Sequence, residues 1–241
     1  MIEWWGYADA FSADPHFSNV SLLLHGDGAN SSTTIIDSSP LPKTITVVGN
    51  AQIGTVQGRF RGTSIAFDGD GDALSIAGLS DLDHFTMPGV IATCECWLYL
   101  NTLPITRFFL FGSYGTGESG WTVDVTPNGN IFMSRNASGV ATSGNVGFTF
   151  TAGTWQHLAV VSDGITISVY RNGVLISSLN INSNFTNLGA ITSVTQDFRI
   201  GARRTSNDLP LNGYICDLRI TENVARYTAN FAPPTAPFPD Y

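Results

Sequence analysis

Tyr114 and Trp121 flank a glycine-rich stretch, residues 113–120, and Arg203, Arg204, Asn207 and Asp208 crowd one segment before the last apolar run. Aromatic faces next to a few guanidinium, amide and carboxylate groups suit sugar recognition, because a sugar ring offers C–H patches to stack and hydroxyls to bond. These six residues form the candidate carbohydrate site. The competing reading has Trp121 opening a strand and packing inside, with the arginine segment a solvated rim or a subunit contact.

Catalysis finds less support. Retaining glycoside hydrolysis needs two carboxyl groups about 5–5.5 Å apart. The chain has four glutamates, Glu3, Glu95, Glu118 and Glu222, and Glu95 has only Cys94, Cys96 and Trp97 around it. A Gly-x-Ser-x-Gly elbow is missing. His16, His25, His84 and His157 show no metal-ligand spacing. Asp68-Gly69-Asp70-Gly71-Asp72 resembles a calcium loop, but an EF-hand needs Gly at position six and Glu at twelve, where Ala73 and Leu79 stand. Cys94, Cys96 and Cys216 are odd in number and lack a second pair nearby, so they read as buried small hydrophobes. We expect no enzyme.

Composition narrows the partners. Net charge is −8, with Lys43 the only lysine, so no basic stripe exists to neutralise phosphates or to meet an acidic membrane. No apolar run reaches the 18 residues or so of a membrane helix. The opening Met1-Ile2-Glu3-Trp4-Trp5 lacks a basic and then apolar leader, which leads us to expect folding in a cytoplasm. Charged residues are only 12% of the chain, so Ser, Thr and Asn must supply much of the polar surface.

The elements that position these groups read as strands. Short β-rich runs fall at 20–24, 44–48, 63–67, 73–77, 90–100, 107–112, 121–126, 130–135, 146–150, 155–162, 165–171, 174–181, 197–201 and 213–220, with Gly, Asn, Asp or Pro between them. This grammar predicts an all-β sandwich or barrel. Asn172-Gly173 between two such runs predicts a tight hairpin. A two-residue period puts Cys94, Cys96, Leu98 and Leu100 on an inner face, and Glu95, Trp97 and Tyr99 on an outer one. It likewise groups Tyr214, Cys216, Leu218 and Ile220 against Ile215, Asp217 and Arg219. Residues 222–228 could make one helical turn. Three parts result: an aromatic arm (1–19), a sandwich (20–221) and a proline-rich tail (222–241) packed on it. The arm's Trp4, Trp5, Tyr7, Phe11 and Phe17 are costly to expose, which makes them candidates for docking to a partner or to another copy.

Three segments carry a resemblance. Cys94-Glu95-Cys96-Trp97-Leu98-Tyr99-Leu100, Gly153-Thr154-Trp155-Gln156-His157-Leu158 with the Asn172-Gly173 hairpin, and Phe198-Arg199-Ile200-Gly201 with the 213–220 run resemble strands of laminin-G-like, concanavalin A-like domains. The resemblance implies a two-sheet antiparallel jelly-roll sandwich. Residues 224–238 and the opening Leu22-Leu23-Leu24-His25-Gly26-Asp27-Gly28 are similar to such domains in bacteriophage structural proteins. That implies a virion surface protein, a capsid decoration or tail component assembled in the host cytoplasm, docking to virion proteins or its own copies, with a host surface glycan as a further contact. Domains of this kind often bind calcium at loop rims, which points to Asp27 and Asp37. No other cofactor is implied. Where relatives carry an acidic pair, this chain has Cys216-Asp217.

Overall fold

The structure, a computed structural model, describes residues 13–77, 88–113, 120–128, 131–137, 140–146, 150–181, 197–204 and 207–241. Its strands are β1 (Val20–Leu24), β2 (Thr46–Val48), β3 (Gln52–Gly54), β4 (Ser64–Asp68), β5 (Ala73–Ile76), β6 (Ile91–Leu100), β7 (Phe108–Gly112) and β8 (Gly120–Val125). β9 (Ile131–Ala137), β10 (Val140–Val146), β11 (Trp155–Asp163), β12 (Thr166–Arg171), β13 (Val174–Asn180), β14 (Phe198–Ile200) and β15 (Asn212–Glu222) follow. Among the described residues an eight-stranded sheet runs β13-β12-β11-β6-β15-β4-β3, with β1 paired to β15, and a seven-stranded sheet runs β10-β9-β8-β7-β14-β5-β2. All pairings are antiparallel.

Alternation builds the interior. Cys94, Cys96, Leu98 and Leu100 of β6 meet Leu158 and Val160 of β11 and, across the gap, Trp121, Val123, Phe198 and Ile200 in one core. The Asn172-Gly173 turn closes the β12–β13 hairpin with φ of 49° and 76°, the positive values that pair favours.

The sequence pattern fails at identifiable places. β15 carries a bulge between Cys216 and Arg219, where Asp217 takes φ 47°. One extra residue reverses the alternation: Ile215, Leu218 and Ile220 enter the core, while Tyr214 joins Arg219 on the opposite face. Residues 222–228 form no helical turn; β15 runs through Glu222, and Asn223 then turns the chain with φ 58°. β3 and β10 lie where no strand is expected from the pattern, the first because three residues carry too little period, the second because Ser, Gly and Asn punctuate it.

The tail and residues 13–19 lie over one half of the eight-stranded sheet's outer face. Phe238 packs on Val20 and Leu23, and Tyr227 stacks on Phe231 at 3.6 Å above Tyr170. Beneath them sits a buried ion cluster. Glu95 Oε1 accepts from Arg219 Nε (3.0 Å) and Nη2 (2.7 Å), and Oε2 accepts from the Tyr227 hydroxyl (2.8 Å) and lies 3.2 Å from His157 Nε2. Asp14 bridges Arg219 and Arg226, accepting at 2.9, 3.0 and 2.7 Å. The Arg219 guanidinium also lies 3.7 Å from the Phe238 ring centroid. Each buried charge is thus paired, which ionised groups out of water require.

Candidate binding face

The side of the seven-stranded sheet turned away from the core is polar and largely covered: Ser75, Gly112, Thr122 and Asp124 are buried, Arg199 is half-buried and Thr46 is exposed. In β14, Phe198 and Ile200 point into the core, so Arg199 between them points out. The same alternation turns Ser75 out between Leu74 and Ile76, and Thr122 out between Trp121 and Val123. Register joins these into one transverse row: Thr46, Ser75, Arg199, Gly112 and Thr122, with Ser134 and Ser143 at the next register positions. Arg199 is the long side chain of a row otherwise made of small hydroxyl residues and a glycine.

Arg199 is held from one side. Its Nη1 reaches Asn207 Oδ1 at 3.4 Å, and its Nε has no hydrogen-bond partner among the described residues. Asp197 lies close enough to favour its charge, but accepts from the Ser75 hydroxyl at 2.7 Å instead of bonding Arg199. Burial lowers the Arg199 pKa, and Arg204 adds to that effect. A buried donor without an acceptor costs roughly 1–3 kcal/mol.

Beside this row lies Asp124, also on the outer face and 1% exposed. Burial raises its carboxyl to about 6, against the hydrogen bond from Thr122 and the charges of Arg107 and Arg203. Arg107 Nε is 3.4 Å from Asp124 Oδ2. Arg203 and Asp208 form a two-pronged pair, Nε at 2.8 Å and Nη2 closer.

The structure therefore brings Arg203, Asp208 and Asn207 together, around Arg199 and Asp124, with exposed Arg204 adjacent. Trp121 does not join them. It is 0% exposed and packs against Phe111 and Phe198, so it offers no ring to a sugar, and that part of the expected site is corrected. The sequence shows an aromatic beside a glycine-rich loop; only the side of the strand distinguishes ligand from core. Tyr114 lies outside the described residues, as do Trp4, Trp5, Tyr7 and Phe11. Phe17 is half-buried in a 3-10 turn (Phe17–Asn19), against Val20, Leu23 and Phe238. Arg199, Ser75, Thr122 and Asp124 escaped sequence reading. Each is one polar residue inside an apolar strand, a signal visible only as the off-beat of alternation.

Asp37 and Asp27 separate as well. Asp37 is buried and accepts from the amides of Leu23 (2.9 Å), Ser39 (3.0 Å) and Lys43 (2.8 Å) and from the Ser39 hydroxyl (2.9 Å). Its oxygens thus fasten the 37–43 loop to β1, which corrects its reading as a calcium ligand. Asp27 pairs with Arg61 at the surface. No cluster of three metal-ligating side chains occurs among the described residues. Asp37→Ala is expected to destabilise the fold by about 3 kcal/mol or more, since it orphans three amides at roughly 1–3 kcal/mol each. Urea unfolding should show the same loss with calcium chloride as with chelator; a loss seen only with calcium would restore the metal reading.

Two facing antiparallel sheets around one apolar interior, one bearing a polar outer row, define a concanavalin A-like jelly-roll sandwich. The chain belongs to the concanavalin A-like lectin/glucanases superfamily, through a laminin-G family that matches residues 68–226. Domain 4 of AbnA, a GH43 extracellular arabinanase from Geobacillus stearothermophilus solved with arabinotriose, is similar at TM-score 0.59 and 20% identity, covering 85% of this chain and 92% of that one. The receptor-binding domain of botulinum neurotoxin D is similar at TM-score 0.60 and 14% identity, over 90% of this chain and 50% of that one. A botulinum neurotoxin type C structure, whose cell entry depends on two ganglioside molecules, is similar at TM-score 0.57 and 14% identity, over 86% of this chain and 48% of that one. The chain thus spans about half the length of the toxin chains. A search of curated proteins finds no match to the sequence.

Proposed function

We propose that this chain is a non-enzymatic, lectin-like module that binds a glycan on the outer face of its seven-stranded sheet. The carrying observation is Arg199: a guanidinium in the middle of a hydroxyl-lined row, with one donor nitrogen unsatisfied and another in a long bond to Asn207. Such a group offers directed donors to sugar hydroxyls or a sugar carboxylate, and Asn207, Asp197 and Arg204 edge it. The arabinotriose-bound neighbour and the ganglioside-dependent toxin support a saccharide as the ligand class. Glu95 is unsuited to acid catalysis, being buried and ion-paired. A glycan array should give hits that Arg199→Ala weakens about tenfold or more, the worth of a charged hydrogen bond. Hits that survive Arg199→Ala unchanged, or reducing ends released from a polysaccharide, would defeat the proposal.

The setting we propose is a bacteriophage virion surface, on the resemblance of residues 224–238 to endings of phage structural proteins. The aromatic arm would be the mount, to virion proteins or to further copies. Removing residues 1–12 keeps Asp14 and its ion pairs, so the truncated chain is expected to melt at the parental temperature and to lose assembly. Cryo-EM of particles would then show the full chain at symmetric positions and the truncated one absent.

A further inference from the structure

The eight-stranded sheet carries a second surface, on the half of its outer face that the tail leaves open. The tail covers Glu95, His157 and Tyr170, and Arg59 and Phe60 cover Trp97, with the Arg59 guanidinium 4.2 Å from the Trp97 ring centroid. Beyond them a transverse row runs Trp155, Tyr99, Tyr214, Ala66 and Gln52 across five strands. All five are half-buried. The rings of Trp155 and Tyr99 are 5.6 Å apart at 58°, and those of Tyr99 and Tyr214 are 5.9 Å apart at 74°.

The row ends in a cleft of ≈ 220 Å³ beside Tyr214, whose rim includes Asn50, Gln52, Asp68, Asn101 and Asn212. Ala66, a small residue, lines it beside Tyr214. Next to them, a Cβ added to Gly54 would stand 3.2 Å from the Ala66 Cβ and 3.6 Å from the Tyr214 ring. Asn101 donates to Asn212 (2.7 Å) and Asn50 to Asp68 (3.0 Å), which fixes the four rim groups in pairs. A carboxamide has two donor hydrogens and two acceptor sites, so each paired amide keeps bonds to give.

We infer that this cleft binds one ring of an uncharged saccharide, with the chain's next units lying along Tyr99 and Trp155. Three observations select that ligand. The aromatic row matches the C–H faces of sugar rings and the amide rim matches their hydroxyls. The volume lies below the roughly 300–1,000 Å³ of pockets that take drug-sized ligands, which suits one ring. No lysine or arginine lines the cleft, while Asp68 and Asp72 do, so an anionic ligand is repelled. The surface is independent of Arg199, which belongs to the other sheet.

The test uses the full chain labelled with 5-fluorotryptophan, with the Trp155 signal assigned by Trp155→Phe. Fluorine NMR follows titrations with cellotriose, mannotriose, chitotriose and arabinotriose. At least one should shift the Trp155 signal saturably. Tyr214→Ala should weaken that binding about tenfold, and Arg199→Ala should leave it unchanged. Asn212→Ala, an exposed position, gives a second reading if Tyr214→Ala fails to fold. No saturable shift with any of the four, a shift indifferent to both cleft variants, or one lost with Arg199→Ala would overturn the inference. Since loss of array binding in Arg199→Ala is read separately, either site can fail without the other.

Discussion

Glu95→Gln is expected to lower the unfolding free energy by about 3–5 kcal/mol, the usual cost of stranding a buried charge. The amide keeps the volume but leaves Arg219, itself 5% exposed, without the anion that both Nε and Nη2 address. Asp14 touches Arg219 only through Nη1 and is shared with Arg226, so it compensates little. Acid should reveal the same cluster. Burial alone would raise the Glu95 carboxyl, but the Arg219 charge, the His157 contact and the Arg219 hydrogen bonds hold it at about 2 against an ordinary 4.5. A carboxyl depressed by folding stabilises fully above its unfolded value and loses that stabilisation as pH falls through its folded one. The parent should therefore weaken from pH 4.5 down toward 2, and Glu95→Gln should weaken less over that span. Asp14, also depressed in spite of burial by Arg226, His16 and Arg219, adds to the acid loss in both proteins. Denaturant unfolding at pH 7 and at pH 3 measures both effects; parallel pH profiles for the two proteins would contradict the assignment.

Trp121→Ala should cost about 3–5 kcal/mol, as for large aromatic truncations in a packed core. The indole is fully buried between Phe111 and Phe198, where the seven-stranded sheet meets the interior. Those neighbours sit on strands β7 and β14, fixed by pairing, so the space cannot close. The readout separates the core role from a sugar platform. A core role predicts a large drop in Tm with the glycan affinity of the remaining folded protein retained. An unchanged Tm with lost affinity would put the ring back at a ligand surface.

Sequence alternation alone identified Cys94, Cys96, Leu98 and Leu100 as interior and Glu95, Trp97 and Tyr99 as a separate face, because β6 is long and free of bulges over that stretch. It misjudged Tyr214, because nothing in Cys216-Asp217 announces a left-handed residue in mid-strand. On the candidate face, the clustered Arg203, Asn207 and Asp208 were legible as polar chemistry in one segment. Arg199 was not, since its neighbours Ser75, Gly112 and Thr122 come from distant strands that only sheet register brings alongside. The row Trp155, Tyr99 and Tyr214 was hidden for the same reason. Composition marks aromatics, but whether a given ring is covered depends on where the tail and the 55–63 loop fold back.

The amide of Asp14 donates to the carbonyl of Tyr241 at 3.1 Å. One hydrogen bond thus joins the two extremities of the described chain. Residues 14 and 241 therefore lie side by side at one pole of the domain. The domain is therefore suited to being spliced into a surface loop of another protein, or to being circularly permuted across that join, with neither sheet asked to stretch.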